Sequence, residues 1–160
     1  MAKLGEDRYY KRSGDQFRKM EHFDIADMFG RRRKPVLALE LRKDDRGSKL
    51  MVLVKNEGRG IAKAPYLAIH LPRQWRGSSY GFDGNGRFGL QAIGESDGIS
   101  RFGASADTVI HPNQVLPVTL LECTVQQPSG LPAISGRQVF HYELAAEDCE
   151  MTTGEVILDY

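Results

Sequence analysis

Few residues in this chain have the types and spacing for chemistry, and they are scattered. Gly84-Asn85-Gly86-Arg87-Phe88-Gly89 has the spacing G-x-G-x-x-G. That spacing binds a dinucleotide when a strand delivers the glycines to a helix N-terminus, where backbone amides face a pyrophosphate. Here no clear strand pattern precedes them, and residues 90–98 read as further loop, so the run is a glycine-rich loop. Gly94-Glu95-Ser96-Asp97-Gly98 spells G-x-S-x-G. A nucleophile elbow of that spelling needs a strand, a strained turn and a helix within a parallel sheet, and the chain shows no α/β alternation. A hydrolase using Ser96 with His111 as base is the third of three functional readings, because nothing in the sequence places His111 beside Ser96. Asp83 and Asn85 loosely match a calcium loop but lack the later bidentate Glu. Turns built on Asp-Gly and Asn-Gly explain them without an ion.

The four histidines, His22, His70, His111 and His141, stand at no ligand spacing from one another or from a cysteine. No zinc site is expected. His70 and His141 fall opposite the apolar face of their strand patterns. Cys123 is in register with Leu121 and Val125 and reads as a core thiol; Cys149 lies in an acidic turn. The sequence allows a bridge between them but does not require one, and a cytoplasmic chain keeps both reduced. Trp75 stands with Arg73 and Arg76 beside a long irregular segment. Such an arrangement can stack a base or hold a partner. Equally, the indole can cap one end of a core.

Charge is unevenly distributed. The 160 residues carry 22 Lys+Arg and 21 Asp+Glu, a net charge of +1. Residues 1–46 hold 13 basic and 9 acidic residues, and the remainder 9 and 12. The basic excess centres on Arg8, Lys11 and Arg12, then on Arg31, Arg32, Arg33 and Lys34. Such clusters contact phosphates, or form a solvated linker. The near-neutral total argues against a wholly basic nucleic-acid binder. Apolar runs are too short to span a membrane, and the first residues lack the apolar region of a signal peptide. A cytoplasmic location is the expectation.

The elements that would position these residues are mostly β. Arg8 to Arg12 predicts a short strand ending in a turn at Ser13-Gly14-Asp15. Met20 to Phe29 predicts a short helix with Phe23, Ile25, Met28 and Phe29 on an apolar stripe, stopped at Gly30. That stripe needs a partner surface, either the following domain or one upstream. From Pro35 the pattern becomes alternating. Leu37, Leu39 and Leu41 share a face; Asp44-Asp45-Arg46-Gly47 turns the chain; Leu50 to Val54 is apolar on both faces, as in a central strand. Further strands are predicted over 66–71, 116–125, 140–144 and 155–160, with order resuming at Val109. Residues 73–103 read as irregular. Short strands with Gly/Pro turns point to a β-sandwich.

Two resemblances extend this reading. Arg8-Tyr9-Tyr10-Lys11-Arg12-Ser13-Gly14, followed by Met20-Glu21-His22-Phe23, resembles the end of a Schlafen/AlbA-like DNA-binding domain, in which a final strand leads to a methionine and a closing helix. The body of that domain would lie upstream, so the resemblance implies a C-terminal remnant and a nucleic-acid association. Leu50 to Gly58, with Ile61-Ala62-Lys63-Ala64-Pro65, resembles the strand and turn of bacterial immunoglobulin-like sandwiches of the adhesion-related type. Ile110-His111-Pro112-Asn113 before Val118 to Val125 is similar to their later turn and strand. In physical terms, Asn56 and Gly58 permit the turn, and the small Ala62 lets the next strand start close to the sheet.

The expectation is a mainly β chain: an immunoglobulin-like β-sandwich over 35–160 and a basic strand-and-helix appendage over 1–34. The leading functional expectation is a non-enzymatic interaction module of a nucleic-acid-associated protein, with no cofactor, no metal and no catalytic residue. Its partner surface is expected at Trp75, Arg76, Tyr80, Phe82, Arg87 and Phe88, because a long loop in a compact domain is commonly functional. The alternative is direct, sequence-nonspecific nucleic-acid binding through Arg8, Lys11, Arg12 and Arg31 to Lys34.

Overall fold

The computed structural model describes residues 9–22, 25, 34–44, 48–78, 89–129, 133–147 and 149–160. The chain divides into two compact units, Met1–Arg33 and Lys34–Tyr160.

In the first unit, β1 (Tyr10–Ser13) and β2 (Gln16–Lys19) form an antiparallel hairpin. Gly14, at φ +65°, supplies the left-handed residue that a two-residue turn requires. β2 was not anticipated. Its four residues, Gln-Phe-Arg-Lys, carry a single apolar side chain, so no alternation marks them. Of the predicted helix over Met20–Phe29, residues 23, 24 and 26–29 lie outside the described residues, as does the predicted stop at Gly30. The structure gives one i→i−4 bond there, Ile25 N–H to the Glu21 carbonyl at 3.1 Å, and does not establish the helix. Phe23, Met28 and Phe29 of the stripe are likewise outside.

Among the described residues, every regular element of the second unit is a strand. β3 (Leu37–Lys43), β4 (Lys49–Asn56), β10 (Val115–Cys123) and β6 (Trp75–Gly77) make a four-stranded sheet in the order β3-β4-β10-β6. β12 (Cys149–Asp159), β11 (Arg137–Glu147), β5 (Ala62–His70), β8 (Ile99–Gly103) and β7 (Gln91–Ser96) form the second sheet in that order, and β9 (Val109–Ile110) adds to β5. Every pairing is antiparallel. The two sheets share one core. Leu37, Leu39, Leu41, Leu50, Val52, Val54 and Leu121 come from the first, and Leu67, Ile69, Phe102, Phe140 and Leu144 from the second. The doubly apolar β4 thus lies between two neighbours, as its sequence predicts, and β3, whose apolar residues alternate, is an edge strand.

Asn56 explains the turn after β4. It is fully buried, yet its side chain makes four hydrogen bonds. Its Oδ1 accepts from the Val36 amide at 3.2 Å and the Gly58 amide at 3.0 Å. Its Nδ2 donates to the Gly60 carbonyl at 2.7 Å and the Ile110 carbonyl at 2.9 Å. One amide therefore ties three segments together: the chain entering β3, the turn after β4, and β9. Only a side chain with both donor and acceptor at its tip can do this. Gly58 fits beneath the entering strand, where an added Cβ would lie 2.4 Å from the Val36 nitrogen and 2.5 Å from the Lys34 carbonyl oxygen. Ala62, also fully buried, follows at the start of β5.

The segment 73–103, expected to be irregular, contains β6, β7 and β8. β6 is three residues long, and all six residues of β7 are exposed, so neither carries a burial pattern in its sequence. Asp97 (φ 53°) and Gly98 (φ 75°) form the turn between β7 and β8. The G-x-S-x-G run is therefore a β-hairpin with an Asp-Gly turn. Cys149 begins β12 rather than sitting in a turn, and β10 stops at Cys123, leaving Val125 exposed.

Candidate functional site

Trp75 is the reference point for the predicted partner surface. Its ring is only 4 % exposed. It packs 6.0 Å from the Phe140 ring and 5.7 Å from the Tyr160 ring, both tilted. Lys43 Nζ lies 3.7 Å from the centre of the Tyr160 ring, a cation–π contact that closes this end of the core. Trp75 is thus the core cap, not a solvent-facing contact. Burial pushes the Tyr160 phenol up to about 12, with the neighbouring Cys123 and Asp44 adding to the shift.

The cap lies directly before residues 76–88. Arg76, next in sequence, is exposed, and its guanidinium makes no hydrogen bond or ion pair among the described residues. Across the pair its neighbour is Glu122, whose carboxylate is taken by Lys49 at 2.9 Å. At the start of the segment, Ser78 N–H donates to the Leu120 carbonyl at 2.7 Å. At its end, Gly89 (φ +96°) lies so close to β10 that a Cβ would be 2.6 Å from the Val118 carbonyl oxygen. Leu90 beside it is buried. Both ends are therefore anchored on β10, two residues apart, which is about 7 Å along a strand. Tyr80, Phe82, Arg87 and Phe88, with the G-x-G-x-x-G run through Phe88, lie outside the described residues.

The basic N-terminal candidates divide similarly. Arg8, Arg31, Arg32 and Arg33 lie outside the described residues. Lys11 and Arg12 are exposed on β1, and Arg12 Nε donates to the Gly14 carbonyl at 3.1 Å. Lys34 is exposed and pairs with Glu150 at 3.6 Å. The hairpin register brings further residues to them. Tyr10 is opposite Lys19, and Arg12 opposite Phe17. These four share a face, with Tyr10 55 % and Phe17 75 % exposed. Phe17, Arg18 and Lys19 were missed because β2 was missed.

Ser96 and His111 are not brought together. The Ser96 hydroxyl accepts from Arg101 at 2.8 Å, and His111 sits in the turn after β9, its amide donating to Gln114 Oε1 at 3.0 Å. No hydrogen bond joins their side chains. Among the described residues no cluster of His, Cys, Asp or Glu is arranged to hold a metal. Cys123 and Cys149 are both free. Partial burial, with the adjacent Glu150, raises the Cys149 thiol above its ordinary value despite the nearby Lys34.

One concave surface was not anticipated. A groove of about 710 Å³ lies on the outer face of the larger sheet, lined by His70, Arg101, His141, Glu143 and Glu155 around Ala68. The sequence signal was the row of polar residues opposite the apolar positions of β5 and β11. Its meaning depends on which strands are neighbours.

Compared with known proteins, the chain matches no protein-family model and no curated protein.

Proposed function

We propose that the second unit is a non-enzymatic interaction module, an immunoglobulin-like sandwich that presents residues 76–88 to a protein partner, within a nucleic-acid-associated cytoplasmic protein. The observation that carries this reading is the double anchor on β10. Loops whose ends sit close together on a rigid strand are frequent carriers of binding function. Trp75 contributes indirectly by fixing the base, while Arg76, Tyr80, Phe82, Arg87 and Phe88 supply the aromatic and guanidinium groups that partner surfaces favour. The strand order supports the immunoglobulin-like part. β3-β4-β10 and β12-β11-β5 take the places of strands A-B-E and G-F-C of that fold, with β6 beside β10 where D would lie.

The test is quantitative recovery of partners from the source cells by wild type, Arg76→Ala and Phe82→Ala, all with matched melting curves. A fivefold or greater fall for both variants supports the loop. Unchanged recovery by both removes it. Trp75→Ala is unsuitable, because it empties the core.

A second reading, nucleic-acid binding by the first unit, is favoured by the hairpin face that sets Tyr10 and Phe17 beside Arg12 and Lys19. Cations beside exposed aromatic rings are the elements of a single-strand platform. Binding would weaken steeply with salt, and Arg12→Ala would lower the slope of log K against log[salt] by roughly 0.7. Phe17→Ala would lower affinity with no change of slope. No mobility shift at low salt would end this reading.

A further inference from the structure

The outer face of the larger sheet has a charge pattern that matches itself. The registers place Glu155, His141, His70, Ile99 and Ser96 in one row across β12, β11, β5, β8 and β7. The next outward row is Thr153, Glu143, Ala68, Arg101 and Gly94. Ala68, on the central strand β5, leaves a low floor. Glu143 stands one strand to one side and Arg101 one strand to the other, each about 4.8 Å across. The Glu143 carboxylate has no hydrogen bond or ion pair among the described residues. Arg101 gives one bond, to Ser96, from a guanidinium with five N–H donors. The two groups are thus of opposite sign, in one row, and held apart by the small Ala68 between them.

We propose that this face joins a second copy of the chain, face to face about a two-fold axis running along β5. That axis keeps each row and exchanges β11 with β8 and β12 with β7. Glu143 of each copy then meets Arg101 of the other, twice over. Because Arg101 leans toward Ser96 on β7, it also comes toward Glu155 of the other copy. Ala68 faces Ala68, which lets the sheets approach in that row, while His70 meets His70 in the row beside it. A two-fold axis lying across the strands would instead set Glu143 on Glu143 and Arg101 on Arg101, so the charges select one arrangement. Five strands at about 4.8 Å and roughly five residues at about 3.3 Å give a face of roughly 400 Å². Twice that lies below the standard size of specific interfaces, so the dimer is weak and is sought at chain concentrations from about 10 μM to 1 mM.

The test is sedimentation equilibrium of the full chain over that concentration range. Wild type forms a reversible dimer that loosens as salt rises. Arg101→Glu and Glu143→Arg each weaken it at least tenfold. Mixing the two variants in equal amounts restores dimers, because every cross-copy contact becomes Glu against Arg again, and so does the Arg101→Glu, Glu143→Arg double variant. A wild type that stays monomeric at the highest concentration overturns the proposal. So do single variants that dimerise as wild type does, or folded single variants whose mixture remains monomeric.

Discussion

Replacing Asn56 with alanine removes four hydrogen bonds at the junction of β3, β4 and β9. The Gly60 and Ile110 carbonyls lose their donor in a buried site, while the Val36 and Gly58 amides lose their acceptor where water has partial access. A buried polar group left unsatisfied costs about 1–3 kcal/mol. Two such carbonyls at about 1.5–2 kcal/mol each, with the amides recovering most of their bonding from water, give about 3–4 kcal/mol. Against a typical domain stability of 5–15 kcal/mol, the change is severe without abolishing the fold. It corresponds to a fall in Tm of about 10–15 °C. Urea unfolding followed by circular dichroism and Trp75 fluorescence should show the midpoint moving down with an unchanged slope. A loss below about 1 kcal/mol would refute the reasoning, because it would mean that the junction holds without its amide. Asn56→Asp is a sharper probe. It keeps an acceptor for the two amides but turns a carboxylate oxygen toward two carbonyls. Its folded pKa is raised, so its penalty is smallest below the ordinary value near 4 and grows as pH rises through the folded pKa.

Other outcomes follow from the same geometry. Gly58→Ala should destabilise by roughly 3 kcal/mol or more, because the added methyl meets backbone on the entering strand. Gly154→Ala should cost less, about 1 kcal/mol, because its methyl meets only the movable end of Tyr142; equal losses from the two in urea melts would contradict the packing. Trp75→Phe should cost about 1–2 kcal/mol against about 3–5 for Trp75→Ala, since the indole N–H it deletes is buried without a protein partner. In an alkaline titration followed by ultraviolet absorbance, Tyr160 should ionise only near pH 12. Its folded pKa lies above the ordinary value of 10, so the stability linked to it is complete below pH 10 and is lost as pH rises from 10 to 12; ionisation of every tyrosine by pH 11 would contradict this. Cys149 should react with a thiol reagent at pH 8 more slowly than a free thiol does, and Cys123 only on unfolding; two fast thiols would contradict the burial.

The β-rich architecture was legible wherever burial writes itself into alternation. Leu37, Leu39 and Leu41 on β3 announce a strand with one buried face, and the apolar run of β4 announces a central one. The Asn56 and Gly58 turn was legible as a turn, but not the reach of Asn56 to Ile110, which is 54 residues away. β2, β6 and β7 were illegible for a physical reason. They are short or exposed, and pairing rather than burial makes them strands. The same limit governs the sites. Trp75 could be read as contact or cap, and only the neighbouring Phe140 and Tyr160 decide for cap. Glu143 and Arg101 lie 42 residues apart, and their relation appears only when Ala68 is seen between them in one row.

The most direct test of the proposed function is to replace residues 79–88 with a Gly/Ser segment of equal length. The anchors at Ser78 and Gly89 stay in place, so unfolding should be unchanged within about 1 kcal/mol. Quantitative recovery of the partners that wild type captures should then fall at least tenfold. Full recovery by this folded variant would contradict the account, because it would place the partner surface elsewhere on the chain.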